Sequence, residues 1–149
     1  MDRASDARAL ISAGRMNCAQ AVLSTYCEQF GLERILALKL AQGFGGGMGR
    51  MGGVCGAVTG AYMVLGLAQK VSEDNPRQSL DRTYELVREF TQRFKALHGS
   101  VICKELIGYD LSSPEGFAEA RNKKILTTVC PDFVRDSVKI LGDLIQPAQ

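Results

Sequence analysis

The sequence predicts an all-α protein, a single compact helical bundle around a central helix with a glycine-rich face. Apolar residues recur at spacings of three and four through most of the chain, the period of a helix with one buried side. No stretch alternates β-branched and polar residues in the manner of a half-buried strand. Helix punctuation is dense, with Asn17, Pro76 and Pro114 at starts and Gly14, Gly31, Gly99 and Gly108 at ends. At 149 residues and 46% hydrophobic content, residues 1–149 have the size and mix of one domain.

The first helix is expected over Asp2 to Ala13, closed by Gly14. The second starts at the cap Asn17 and carries Cys18, Ala21, Val22 and Tyr26 towards Gly31. Leu32 to Ala41 reads as a third, buried helix, because Leu32, Ile35, Leu36, Leu38 and Leu40 cover most of its surface. Gly43 to Gly53 holds seven glycines in eleven residues. No helix interior accepts that at roughly 1 kcal/mol per glycine, so this is a loop. It contains a GxGxxG pattern, Gly47 to Gly52, but follows a helix, whereas a dinucleotide fingerprint follows a strand. The loop reads instead as a tight connection, or as one whose amides face a thiolate or an anion.

The central helix is expected from Gly53 to Lys70, with Gly56, Ala57, Gly60 and Ala61 admitting a close neighbour. A long amphipathic helix follows from Pro76 to Leu97, burying Leu80, Tyr84, Val87, Phe90, Phe94 and Leu97. His98 stands at its end, where a capping or hydrogen-bonding role is expected. Ser100 is expected to cap a short helix ending at Ile107, and Ser112 or Ser113 another that starts at Pro114. A last helical region covers Lys123 to Leu144, interrupted by Pro131.

Composition narrows the function. Eighteen Lys and Arg against sixteen Asp and Glu leave a formal charge of +2, far from the basic excess that tracks a nucleic acid backbone. The N-terminus lacks the apolar core of a secretory signal, so a cytoplasmic location is expected. Met51 to Gln69 is uncharged, but its glycines make it a buried helix rather than a membrane span.

Five cysteines, Cys18, Cys27, Cys55, Cys103 and Cys130, and one histidine are the chemically informative residues. A reducing compartment favours metal-binding, catalytic or buried cysteines over permanent disulfides. No CxxC occurs, and one histidine cannot complete a two-cysteine, two-histidine zinc site. Cys18, Cys55, Cys103 and Cys130 each fall at or near the start of an expected helix. There the positive end of the helix dipole and the unpaired amides lower a thiol pKa, producing a better nucleophile or metal ligand. Cys27, nine residues after Cys18, falls on the opposite face at about 100° per residue.

The order Cys18, then Cys55-Gly56-Ala57-Val58-Thr59-Gly60, then Cys103, then Cys130, with the context Asn17-Cys18-Ala19-Gln20-Ala21-Val22, resembles the C_GCAxxG_C_C family of proteins described as redox-active. The resemblance runs from about Asn17 to Cys130. It implies that those four cysteines are the characteristic ones, that Cys27 lies outside the pattern, and that the domain is a four-cysteine helical redox-type domain.

Three functions compete at the level of sequence. The first is thiol–disulfide chemistry with an unidentified redox partner, Cys18, Cys55, Cys103 and Cys130 being the catalytic candidates. The second uses the same four thiolates as ligands of an iron–sulfur cluster or zinc, the ligand count being right although close cysteine pairs are lacking. The third is a helical interaction protein with incidental cysteines. No CxxCH motif is present for covalent haem. The substrate, the cysteine pairing and the oligomeric state are not readable from the residues.

Overall fold

Asn17 shows how closely local chemistry positions this chain. Its side chain accepts the Gln20 amide at 2.9 Å, and the Gln20 side chain accepts the Asn17 amide at 3.0 Å. This reciprocal capping box starts helix α2 (Cys18–Tyr26) with Cys18 as its first residue. The computed structural model describes residues 2–145. Helix α1 (Arg3–Ser12) precedes α2, capped by Asp2. A 3₁₀ turn, Cys27–Phe30, then leads to the left-handed Gly31. Helix α3 (Arg34–Ala41) follows, and α4 (Gly56–Leu67) comes after the glycine-rich loop. The remaining helices are α5 (Pro76–His98), α6 (Cys103–Ile107), α7 (Pro114–Asn122), α8 (Ile125–Thr128) and α9 (Cys130–Leu144). Among the described residues there is no strand, only an isolated antiparallel bridge between Val54 and Ile102. The fold is all-α.

Helix α4 is the central element, with none of its residues exposed. It lies against α2, and α1 lies against α9. A Cβ at Gly60 would stand 2.9 Å from the carbonyl oxygen of Ala19, and one at Gly56 would stand 2.9 Å from the Ala19 amide nitrogen. Glycine at both positions is what lets the two backbones meet. No helix among the described residues is long and apolar enough to cross a membrane.

Three local expectations are corrected. Helix α3 buries only Ala37 and Ala41, leaving Ile35, Leu36 and Leu40 exposed at 57%, 46% and 53%. Its inner face must be small to pack, so the large residues turn outwards. In α5 the buried positions are Leu86, Phe90 and Phe94, while Leu80, Tyr84 and Leu97 are exposed. Only the C-terminal half of this long helix lies on the core. The last helical region is interrupted as expected: α8 ends at Thr128, and Pro131 sits in the first turn of α9, where its missing N–H leaves no bond unmade. Ser100 does not cap α6 directly. Its hydroxyl accepts the Ile102 amide at 2.9 Å and donates to Glu105 at 2.7 Å, fixing the approach to the helix. Ser113 does cap α7, accepting the Gly116 amide at 2.9 Å.

Candidate functional site

The glycine-rich loop folds into an unusual left-handed turn. Gly46, Gly47, Met48, Gly49 and Arg50 are consecutive residues with φ between 61° and 69°. The turn is closed by amides that reach six residues back: Gly49 to Gly43 (3.0 Å), Gly52 to Gly46 (3.2 Å) and Gly53 to Gly47 (2.9 Å). Such a run costs an L-residue roughly 1–2 kcal/mol per position, which is why glycine dominates it. Gly47 is doubly constrained. A Cβ there would lie 2.5 Å from the Gly53 nitrogen and 2.7 Å from the Cys103 Cβ.

The loop delivers the chain to the Val54–Ile102 bridge. Around it, the Cys55 amide donates to the Val101 carbonyl (2.7 Å) and the Cys103 amide donates to the Gly53 carbonyl (2.6 Å). Two helix starts far apart in sequence, those of α4 and α6, are thereby pinned side by side with their cysteines. Cys18 arrives through the α2–α4 approach, since a Cβ at Gly56 would lie only 3.1 Å from the Cys18 Cβ. Asn17 and Gln20 hold it there, their side-chain amides donating to the Gln42 and Leu38 carbonyls, each at 3.0 Å. Cys130 enters as the first residue of α9. All four cysteines line one cavity of about 760 Å³, bounded on one side by the left-handed turn.

Their protonation is not uniform. The Cys55 thiol is held below its ordinary value, first by the Cys18 thiol that hydrogen-bonds to it and then by the amides of Ala57 and Val58, against an opposing effect of burial. Cys18 is pushed well up, because its proton is shared with the sulfurs of Cys130 and Cys55 and because it is buried among them. Burial, followed by the charge that develops on Cys55 and Cys130, pushes Cys103 up to about 12. Thus the expectation of lowered values at every helix start holds for Cys55 and fails for Cys18 and Cys103. The Cys18 thiol, more than the helix end, lowers Cys55, and burial leads at Cys103, with the charge on its neighbours second.

Cys27 is not among the cavity-lining residues. It is fully buried, and its thiol contacts the Ser24 carbonyl at 3.5 Å. His98 also stands apart from the cavity. Its Nε2 lies 3.0 Å from Asp136 Oδ2, and its ring packs between Phe94 and Phe133 at 4.7 and 4.9 Å between centroids. Among the described residues no three His, Cys, Asp or Glu side chains are placed to hold one metal ion together.

No motif or spacing marks Arg50, Arg121 and Lys124 for this cavity, yet all three line it. They come from a loop and from the end of α7 and the residue before α8.

Comparison with curated proteins and with solved structures finds no match. A family model does match, over residues 16–144, nearly the whole chain and including all four cavity cysteines; its description reads "Putative redox-active protein (C_GCAxxG_C_C)". The chain belongs to this family.

Proposed function

We propose that this protein carries out thiol–disulfide exchange, with Cys55 as the attacking thiolate and Cys18 as the resolving thiol. The observation that carries the reading is geometric: Cys18, at the start of α2, and Cys55, the cap of α4, are brought into one cavity by the close approach of the two helices, and the first α4 amides favour a thiolate at Cys55. A thiolate is the nucleophile in such exchange, and a protonated neighbour keeps the second step in reserve.

In the first step the Cys55 thiolate attacks one sulfur of a substrate disulfide. A Cys55–substrate bond forms, the substrate S–S bond breaks, and the other half leaves as a thiolate. Cys18 then gives its proton to that leaving thiolate and attacks the Cys55 sulfur, expelling the second half. The protein ends oxidised, with a Cys18–Cys55 disulfide, and the substrate ends reduced, as one thiol and one thiolate. Cys103 and Cys130 complete the sulfur-lined wall and bear on the charge of the pair.

Trapping tests this reading. With Cys18→Ser, a small disulfide at neutral pH should leave a stable mixed disulfide on Cys55, seen as a mass increase of half the reagent. With Cys55→Ser, that adduct should be absent on the same timescale. Equal labelling of both variants would contradict the assignment, as would anaerobically purified protein carrying stoichiometric metal and a visible absorption band.

A further inference from the structure

We infer that the cavity takes an anionic small molecule, and that the substrate of the proposed exchange is therefore a small disulfide bearing carboxylate or comparable anionic groups. The inference rests on the exchange reading for the word substrate, but the binding it asserts stands on separate observations. Arg50, Arg121 and Lys124 line the cavity, and no aspartate or glutamate does. None of the three has a carboxylate within ion-pairing distance among the described residues, although ion pairs are common elsewhere on this surface. In a protein with nearly balanced charge, three cations on one concavity without an acid give that opening a one-signed field.

Their placement is built into the chain. Arg50 stacks on Phe117 with its guanidinium carbon 4.1 Å from the ring centroid, which fixes the direction of its charge. Among the described residues, Arg50 and Lys124 are two of the three non-glycine residues with positive φ, at 63° and 59°. The amides of Gly46 and Gly47, on the same wall, donate no hydrogen bond among the described residues. Guanidinium, ammonium and free backbone amides are donors without acceptors, the chemistry that recognises an anion. Arg50, Arg121 and Lys124 are exposed while Cys55, Cys103 and Cys130 on the same cavity are buried, so one molecule can offer an anionic group to the outer cations and a disulfide to the inner sulfurs. The cavity, about 760 Å³, is of ordinary small-ligand size.

Binding is best read with a probe that cannot exchange. Isothermal titration of 4,4′-thiodibenzoate, a dianionic diaryl thioether, is compared with titration of its neutral diamide. The wild-type protein should bind the dianion at least ten-fold more tightly than the diamide. Arg50→Gly with Lys124→Gly should abolish that preference, because glycine accepts both left-handed positions and the fold is retained, as circular dichroism and melting would verify. Equal affinity for the two probes, no binding of the dianion, or an unchanged preference in the double variant would overturn the inference. The thioether result does not depend on cysteine chemistry. If it holds while trapping at Cys55 fails, the exchange reading is wrong and the anion site remains; the converse isolates the failure here.

Discussion

Gly60 and Ala19 touch backbone to backbone: a Cβ on Gly60 would stand 2.9 Å from the Ala19 carbonyl oxygen and 3.1 Å from its Cα. This contact sets the spacing of α2 and α4, and with it the distance between Cys18, which starts α2, and Cys55, which caps α4. Gly60→Leu therefore has no space to enter and should lower stability by about 1–3 kcal/mol or more. Gly66, on the same helix, has nothing within 4 Å of a Cβ position. Gly66→Ala should raise stability by up to about 1 kcal/mol, since alanine is the better helix former. Thermal melting of the two variants, one falling and one rising, checks the packing directly.

The left-handed turn makes a second paired prediction. Gly47 has φ 69° and a Cβ position 2.5 Å from the Gly53 nitrogen, whereas Gly49 has φ 61° and open space around it. Gly49→Ala should cost only the conformational strain, about 1–2 kcal/mol. Gly47→Ala should cost more and should also change thiol reactivity, because Cys103 lies on the same collision path. A Gly47→Ala protein with wild-type melting and wild-type alkylation would count against this description of the loop.

Cysteine ionisation gives a pH signature. Cys55 is held below the ordinary thiol value, so its alkylation by iodoacetamide should set in at lower pH than that of Cys103 and should disappear in Cys55→Ser. Cys103 is pushed up to about 12, above the unfolded value of about 8.5. A raised value means the folded state keeps a proton that the unfolded state releases. The contribution is present in full below about pH 8.5 and is lost as pH rises towards 12. Stability by denaturant titration should therefore fall over this alkaline range, and Cys103→Ala should flatten the slope.

Cys27 should be dispensable for the chemistry. It is buried outside the cavity and hydrogen-bonds within its own helical segment. Cys27→Ala should leave the rate and extent of Cys55 alkylation within about two-fold of wild type, while melting somewhat earlier through loss of a packed side chain. A loss of reactivity equal to that of Cys18→Ser would mean that the two faces of α2 are assigned wrongly.

Much of this arrangement is written in local chemistry. The Asn17 capping box, Pro76 and Pro114 in first turns, and Gly31, Gly99 and Gly108 in left-handed closures are short-range features, and the chain obeys them. The small-residue face of α4 is likewise legible, because only a close neighbour requires glycine at both positions 56 and 60. What was not legible depends on partners distant in sequence. The Val54–Ile102 bridge is one residue pair and has no periodicity. The outward turn of Ile35, Leu36 and Leu40 follows from which face α2 leaves free. The unequal ionisation of the cysteines could not be read from four separate helix starts, since it arises only when Cys18 reaches Cys55 and Cys130. Arg50, Arg121 and Lys124 look like ordinary surface charges until the fold sets them around one opening.

The most direct test of the central claim is peptide mapping of the protein after reaction with one equivalent of a small disulfide at neutral pH. A single dominant intramolecular bond should form, joining the peptide of Cys18 to that of Cys55. A bond between other cysteines, or a stable adduct with no Cys18–Cys55 bond, would contradict it.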